Sequence, residues 1–133
     1  MKLITVAKLL MIFVGISGCF SVLFGAWLAH GGQSLPLASQ ERLMTALTYQ
    51  FFHTLALMLT IILYKLHEKA ILLIAGILFV IGIVFFSGSL YIRTLFDVLS
   101  IGKLAPSGGL SFALAWLVVG FAGTKMFDQK LGN

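Results

Sequence analysis

ALTYQFFHTLALMLTIILY, residues Ala46 to Tyr64, is nearly all apolar yet carries Tyr49, Gln50 and His53 in its first half. On a helix, positions three and four apart line up, so these three share one face. Leu55 to Leu63 is interrupted only by Thr60. The stretch reads as a membrane-spanning helix with a polar stripe confined to one end. A glutamine or histidine facing lipid costs free energy, which turns the stripe toward protein or water. The other hydrophobic runs are then expected to cover it.

Composition points the same way. Of the 133 residues, 60% are hydrophobic and 10% charged, and mean hydropathy is +1.10. Soluble domains run about 45–50% apolar and about 25% charged, so the class is integral membrane. A span takes roughly 20 apolar residues. Four fit, at about 4–29, 43–65, 70–93 and 109–127, as one transmembrane domain over residues 1–133 with no separate soluble domain. The expected fold is all-α: an integral membrane four-helix bundle, up-down-up-down. The net charge is +5, but Lys and Arg sit between the hydrophobic runs and form no patch. They suit orientation and contact with anionic membrane lipids rather than nucleic acid. With a single cysteine, no intrachain disulfide is possible.

In the first run Ser17, Ser21, Gly25 and Ala29 recur every four residues, a small-residue ladder that lets another helix approach closely. Ile16-Ser17-Gly18-Cys19 resembles a lipoprotein cleavage box. However, the chain stays apolar to Ala29, where a mature lipoprotein would turn polar, so Cys19 is expected to be a small packed residue. His30 to Pro36 reads as a loop, with Ser39 capping the second helix and Glu41 in its first turn. Lys65 to Lys69 is a tight charged turn, which makes the second and third helices antiparallel neighbours. The third run covers about residues 70–96 and turns polar at Ser87, Ser89, Tyr91 and Arg93. Asp97 to Gly108 reads as a loop, with Ser107 opening the last helix and Asp128 to Asn133 as a polar tail. Lysines 2, 8, 65, 69, 125 and 130 fall on the side of the termini, against Arg42, Arg93 and Lys103 on the other. The bias predicts cytoplasmic termini.

Along this path the polar signals gather in the outer half. Helix one ends there at His30, helix two starts there with Tyr49, Gln50 and His53, helix three ends there, and helix four begins there near Pro106. Interhelical hydrogen bonds in membranes contribute about 0.6–2 kcal/mol each. Arg93 and Asp97 are spaced for an ion pair on one helix face, or Arg93 anchors at the interface. His30 and His53 raise a metal reading, but a closed site takes about four ligands. Cys19 is about 16 Å down helix one from His30, and His67 lies on the opposite side, so no metal or cofactor is expected. A proton-relay role for His53 competes with a buried network that sets helix register. Tyr64 and Trp27 are placed at headgroup level. The only acids are Glu41, Glu68, Asp97 and Asp128, all at helix ends or in loops, so no enzyme is expected. The functional readings in order are a structural or accessory subunit, in a homo-oligomer or larger complex, a small-solute or proton transporter, and a lipid- or quinone-binding module.

Four ordered motifs carry a resemblance. Gly25-Ala26-Trp27-Leu28-Ala29-His30-Gly31, Thr45 to His53, Phe86 to Tyr91 and Ala105-Pro106-Ser107-Gly108-Gly109 resemble a bacterial family of small uncharacterised inner-membrane proteins with small eukaryotic transmembrane relatives. The likeness covers nearly the whole chain and departs at Trp27-Leu28, where the family pattern has a smaller or glycine-bearing pair. It implies a four-span membrane protein and no particular activity. Its motif residues coincide with the outer polar cluster. The candidates are therefore His30, Tyr49, Gln50, His53, Ser87, Ser89, Tyr91, Arg93 and Pro106.

Overall fold

The computed structural model describes residues 2–131, with side chains to Met126. Gly132 and Asn133 of the expected polar tail lie outside the described residues. Helix α1 spans Leu3–His30 and is followed by a 3-10 turn, Gly31–Ser34. α2 spans Leu37–His67. The third span is composite: α3 (Ala70–Gly82), a π-helical turn (Ile83–Gly88) and α4 (Ser89–Leu95). A second 3-10 turn, Leu99–Leu104, leads into α5 (Ala105–Leu131). Four stretches are long and apolar enough to cross a membrane: Leu3–Ser34, Leu37–His67, Ala70–Leu95 and Leu99–Met126. The expected all-α four-helix membrane bundle is the fold. Its physical cause is that backbone groups in hydrocarbon must bond within their own segment, which also carries the helices further than apolar runs alone suggest.

The connections are correspondingly shorter and more helical than expected. The loop expected over residues 30–36 is largely a 3-10 turn, and α2 opens at Pro36, whose carbonyl accepts the N–H groups of Ser39 and Gln40 at 2.9 and 3.1 Å. Proline has no N–H to orphan at a helix start. Ser39 is therefore inside the helix rather than its cap, and Glu41 falls beyond the first turn. Likewise α5 starts at Ala105, not Ser107, with Pro106 in the first turn where its missing N–H breaks no helical bond. Between α2 and α3 the chain reverses through Glu68, whose φ of 52° is left-handed and whose N–H donates to Tyr64 O at 2.7 Å.

α2 and the third span lie inside; α1 packs on α2 and α3, and α5 packs on α3 and the π turn. Among the described residues α1 and α5 do not form a packed pair. The flanking helices accordingly bury 22% of their apolar windows against 44% for the inner ones. Two apolar clusters result. One, toward the termini, includes Leu10, Leu57, Ile61, Leu72, Phe79 and Phe112. The other, at the far end, joins Leu28, Leu43, Ala46 and Tyr91. Tyr64, near the end of α2, is buried in the first cluster because α2 is an inner helix. Cys19, expected to be packed, is exposed on α1.

α5 and the π turn approach each other backbone to backbone. A side chain at Gly108 would run into the backbone of Phe86 and Phe85. The π turn adds a residue to the helix and redirects its face, so that Ser87 and Ser89 are both buried. Gly108→Ala is expected to push the two backbones apart and destabilise the bundle by about 1–3 kcal/mol. Gly120→Ala, with open space around it, should be near neutral. Unfolding titrations of both variants in bicelles check this; equal effects would contradict the close approach.

Candidate functional site

Gln50 is the centre of a hydrogen-bond network that joins three helices. Its amide nitrogen donates to Ser17 O at 3.2 Å and to Ser17 Oγ at 3.0 Å, both on α1. Its amide oxygen accepts from the Tyr91 hydroxyl on α4 at 2.8 Å. One turn along α2, Thr54 Oγ1 donates to Gln50 O at 2.7 Å. Thr54 has then used its only hydrogen, so the 2.7 Å contact with Ser17 Oγ is donated by Ser17. Ser21 Oγ donates back to Ser17 O at 2.9 Å. Every donor and acceptor role has one consistent assignment, and Ser17, Ser21, Gln50, Thr54 and Tyr91 are all buried.

Packing fixes the members in place. The Tyr91 ring meets Phe24 and Phe20 of α1 edge-on, at 4.8 and 5.5 Å between centroids. Ser87 Oγ adds a further cross-link by donating to Ala46 O of α2 at 2.7 Å. Ser89 turns back on its own span, donating to Phe86 O at 3.0 Å. The small-residue ladder of α1 is therefore more than a packing surface. Ser17 and Ser21 are hydrogen-bonding members, Gly25 lies against Leu47, and Ala29 is exposed and takes no part.

The stripe on α2 divides between two neighbours. Gln50 turns to α1 and α4, whereas His53 turns to α5. The His53 ring stacks on Phe112 at 3.5 Å and 13°, with Phe79 at 5.8 Å and Trp116 edge-on at 6.3 Å. Phe112 itself occupies space left by Gly82. Tyr49 is partly exposed, with its ring 4.5 Å from that of Phe86. Its carbonyl accepts from His53 Nδ1 at 2.7 Å.

The remaining candidates lie apart. His30 ends α1 and is exposed, where it suits the negative end of the helix. It joins neither His53 nor the Gln50 network. Pro106 is exposed in the first turn of α5 and serves that turn only. The Arg93–Asp97 pair is not formed: α4 stops at Leu95, and Asp97 takes a left-handed φ of 56° that removes it from the helical face. Arg93 instead folds over Gly102, with a buried Nε that has no partner. The cluster also reaches deeper than the outer half, because Ser17 lies midway along α1. Among the described residues no three His, Cys, Asp or Glu side chains are grouped to hold a metal ion.

Thr54 and the hydrogen-bonding role of Ser17 went unpredicted. Their signal was a hydroxyl one turn after Gln50 and a serine pair four apart in an otherwise apolar run. Gln33 and Gln40 were missed too; they tie the first connection to carbonyls of Leu28, Gln33 and Leu35. Gln50→Leu should cost about 1–3 kcal/mol, because it leaves the buried Tyr91 hydroxyl without its acceptor. A double-mutant cycle with Tyr91→Phe should show coupling of about 0.6–1.7 kcal/mol in bicelles. Strictly additive effects would mean the Tyr91–Gln50 bond contributes nothing.

Residues 24–109 match the family model described as protein of unknown function (DUF423). The UPF0382 membrane protein YwdK of Bacillus subtilis is 32% identical over 120 residues, covering 89% of this chain and 98% of that protein. The UPF0382 membrane protein SERP0230 of Staphylococcus epidermidis is 37% identical over 122 residues, 89% of this chain and 97% of that one. The UPF0382 inner membrane protein YgdD of Escherichia coli is 30% identical over 114 residues, 85% and 87% of the respective chains. No solved structure matches. With four apolar spans and these relatives, the chain is an integral membrane protein and a member of the DUF423 family, whose relatives carry the name UPF0382 membrane proteins.

Proposed function

We propose that the protein is a structural or accessory subunit of a bacterial inner membrane, assembling with copies of itself or into a larger membrane complex among the bilayer lipids. The observation that carries this reading is the complete internal pairing of the Gln50 network. Its polar groups are occupied by one another, as suits a device that sets helix register. A path for a solute or proton needs groups free to exchange partners. The flanking helices supply surfaces for assembly. Gly15 and Gly18 on α1, and Gly120 and Gly123 on α5, have nothing within 4 Å of where a side chain would begin, and small residues are where membrane helices approach closely.

The charge bias supports cytoplasmic termini, and the E. coli relative is named an inner membrane protein. Two measurements test the proposal. Purified in mild detergent, the chain should run as an oligomer or with a co-purifying membrane partner. Gly15→Leu or Gly120→Leu should weaken that association without unfolding the bundle, and a monodisperse monomer lacking any partner overturns the reading. For orientation, in a Cys19→Ser background, Ser34→Cys should react with an impermeant maleimide on intact spheroplasts and Glu68→Cys only after permeabilisation. The opposite pattern refutes cytoplasmic termini.

A further inference from the structure

Of the two buried members of the α2 stripe, Gln50 has its side chain fully paired and His53 has half of its polar valence used. The Tyr49 carbonyl can only accept, so Nδ1 carries the hydrogen and the neutral ring has its lone pair on Nε2. Nε2 has no hydrogen-bond partner among the described residues, although His53 is only 8% exposed. The ring borders a crevice of about 350 Å³ lined by Thr48, Tyr49, Phe52, His53 and Trp116, open between α2 and α5. That volume falls at the lower end of the range for small-molecule sites. An acceptor left bare in hydrocarbon costs free energy until a donor arrives.

Depth narrows the donor. At 1.5 Å per residue, His53 lies roughly 24 Å and 21 Å from the two ends of α2. It is therefore near the middle of a hydrocarbon layer about 30 Å thick, out of reach of phospholipid headgroup hydroxyls. The donor has to be carried by a molecule that dissolves in the bilayer interior. Apart from Thr48 and His53 the lining is aromatic, with Tyr49 and Phe52 on α2 and Trp116 on α5, which suits a flat ring.

We propose that this crevice binds a membrane-dissolved aromatic alcohol of the hydroquinone class, with a ring hydroxyl donating to His53 Nε2 and the ring held against Trp116 and Phe52. The site is a binding site only; no electron transfer is required of it, and it stands whether or not the chain assembles with partners. Its signature is selectivity. The oxidised quinone has carbonyl oxygens that accept and cannot donate, so it makes no hydrogen bond to the Nε2 lone pair. The difference is one hydrogen bond in an apolar site, about tenfold in affinity.

The test uses the full chain in phosphatidylcholine nanodiscs under anaerobic conditions. Three short-tailed probes with the same ring and tail are compared: a benzohydroquinone, its quinone, and the hydroquinone dimethyl ether. Retention is measured above that of empty discs. The hydroquinone should be retained about tenfold more tightly than the other two. His53→Phe, which keeps a ring on Phe112, should bring it down to their level. Equal retention of the three probes, retention of none, or a preference that survives His53→Phe each overturns the proposal; retention of none would mean that lipid chains fill the crevice. Should His53→Phe fail to fold, the three-probe comparison on the unsubstituted chain decides alone.

Discussion

A carboxamide placed between apolar helices has to find all its partners inside the protein. Gln50 is that group, and the arrangement of the bundle follows from how it is satisfied. Two donors go to α1 and one acceptor to α4, so three spans are bound to one side chain. Sliding any of the three by one residue along its axis moves a partner by about 1.5 Å, enough to break a bond of this length. Apolar packing by itself tolerates such slips, because one leucine contact resembles the next. The network converts a greasy bundle into one with a defined register.

The two sides of α2 use different physics for the same purpose. Toward α1 and α4 the contacts are hydrogen bonds among buried hydroxyls and an amide. Toward α5 they are stacked rings, His53 on Phe112 with Phe79 and Trp116 around them. The π turn links the sides. Its extra residue buries Ser87 against α2 while bringing the backbone at Phe86 up to Gly108 of α5. Only a residue without a side chain fits there, which gives Gly108, the first of the two glycines after Pro106, a packing reason beyond turn formation.

Much of this was legible in the residues. Four apolar runs set four spans, and Tyr49, Gln50 and His53 stood out as groups that lipid would not accept. Ser87 and Tyr91 were recognisable as polar positions on a neighbouring span. Other parts were not legible. Ser17 and Ser21 look alike as packing residues or as hydroxyl donors, because small side chains satisfy both patterns. Asp97 has the right spacing from Arg93, and only the end of α4 at Leu95 shows that the helical face does not extend that far. The proline and glycine runs suggested loops, yet turns of 3-10 helix fill most of both connections at the far end.

The sequence by itself determined class, span number and the identity of the groups that needed partners, because these depend on transfer free energies that composition and periodicity report directly. Which partner each group took was decided only by the tertiary structure. Gln50 and His53 are three residues apart, yet one meets α1 and α4 and the other meets α5. That division depends on where α1 and α5 lie around the inner helices and on the added residue of the π turn. Both are set by side-chain packing across spans distant in the chain, which no local pattern encodes.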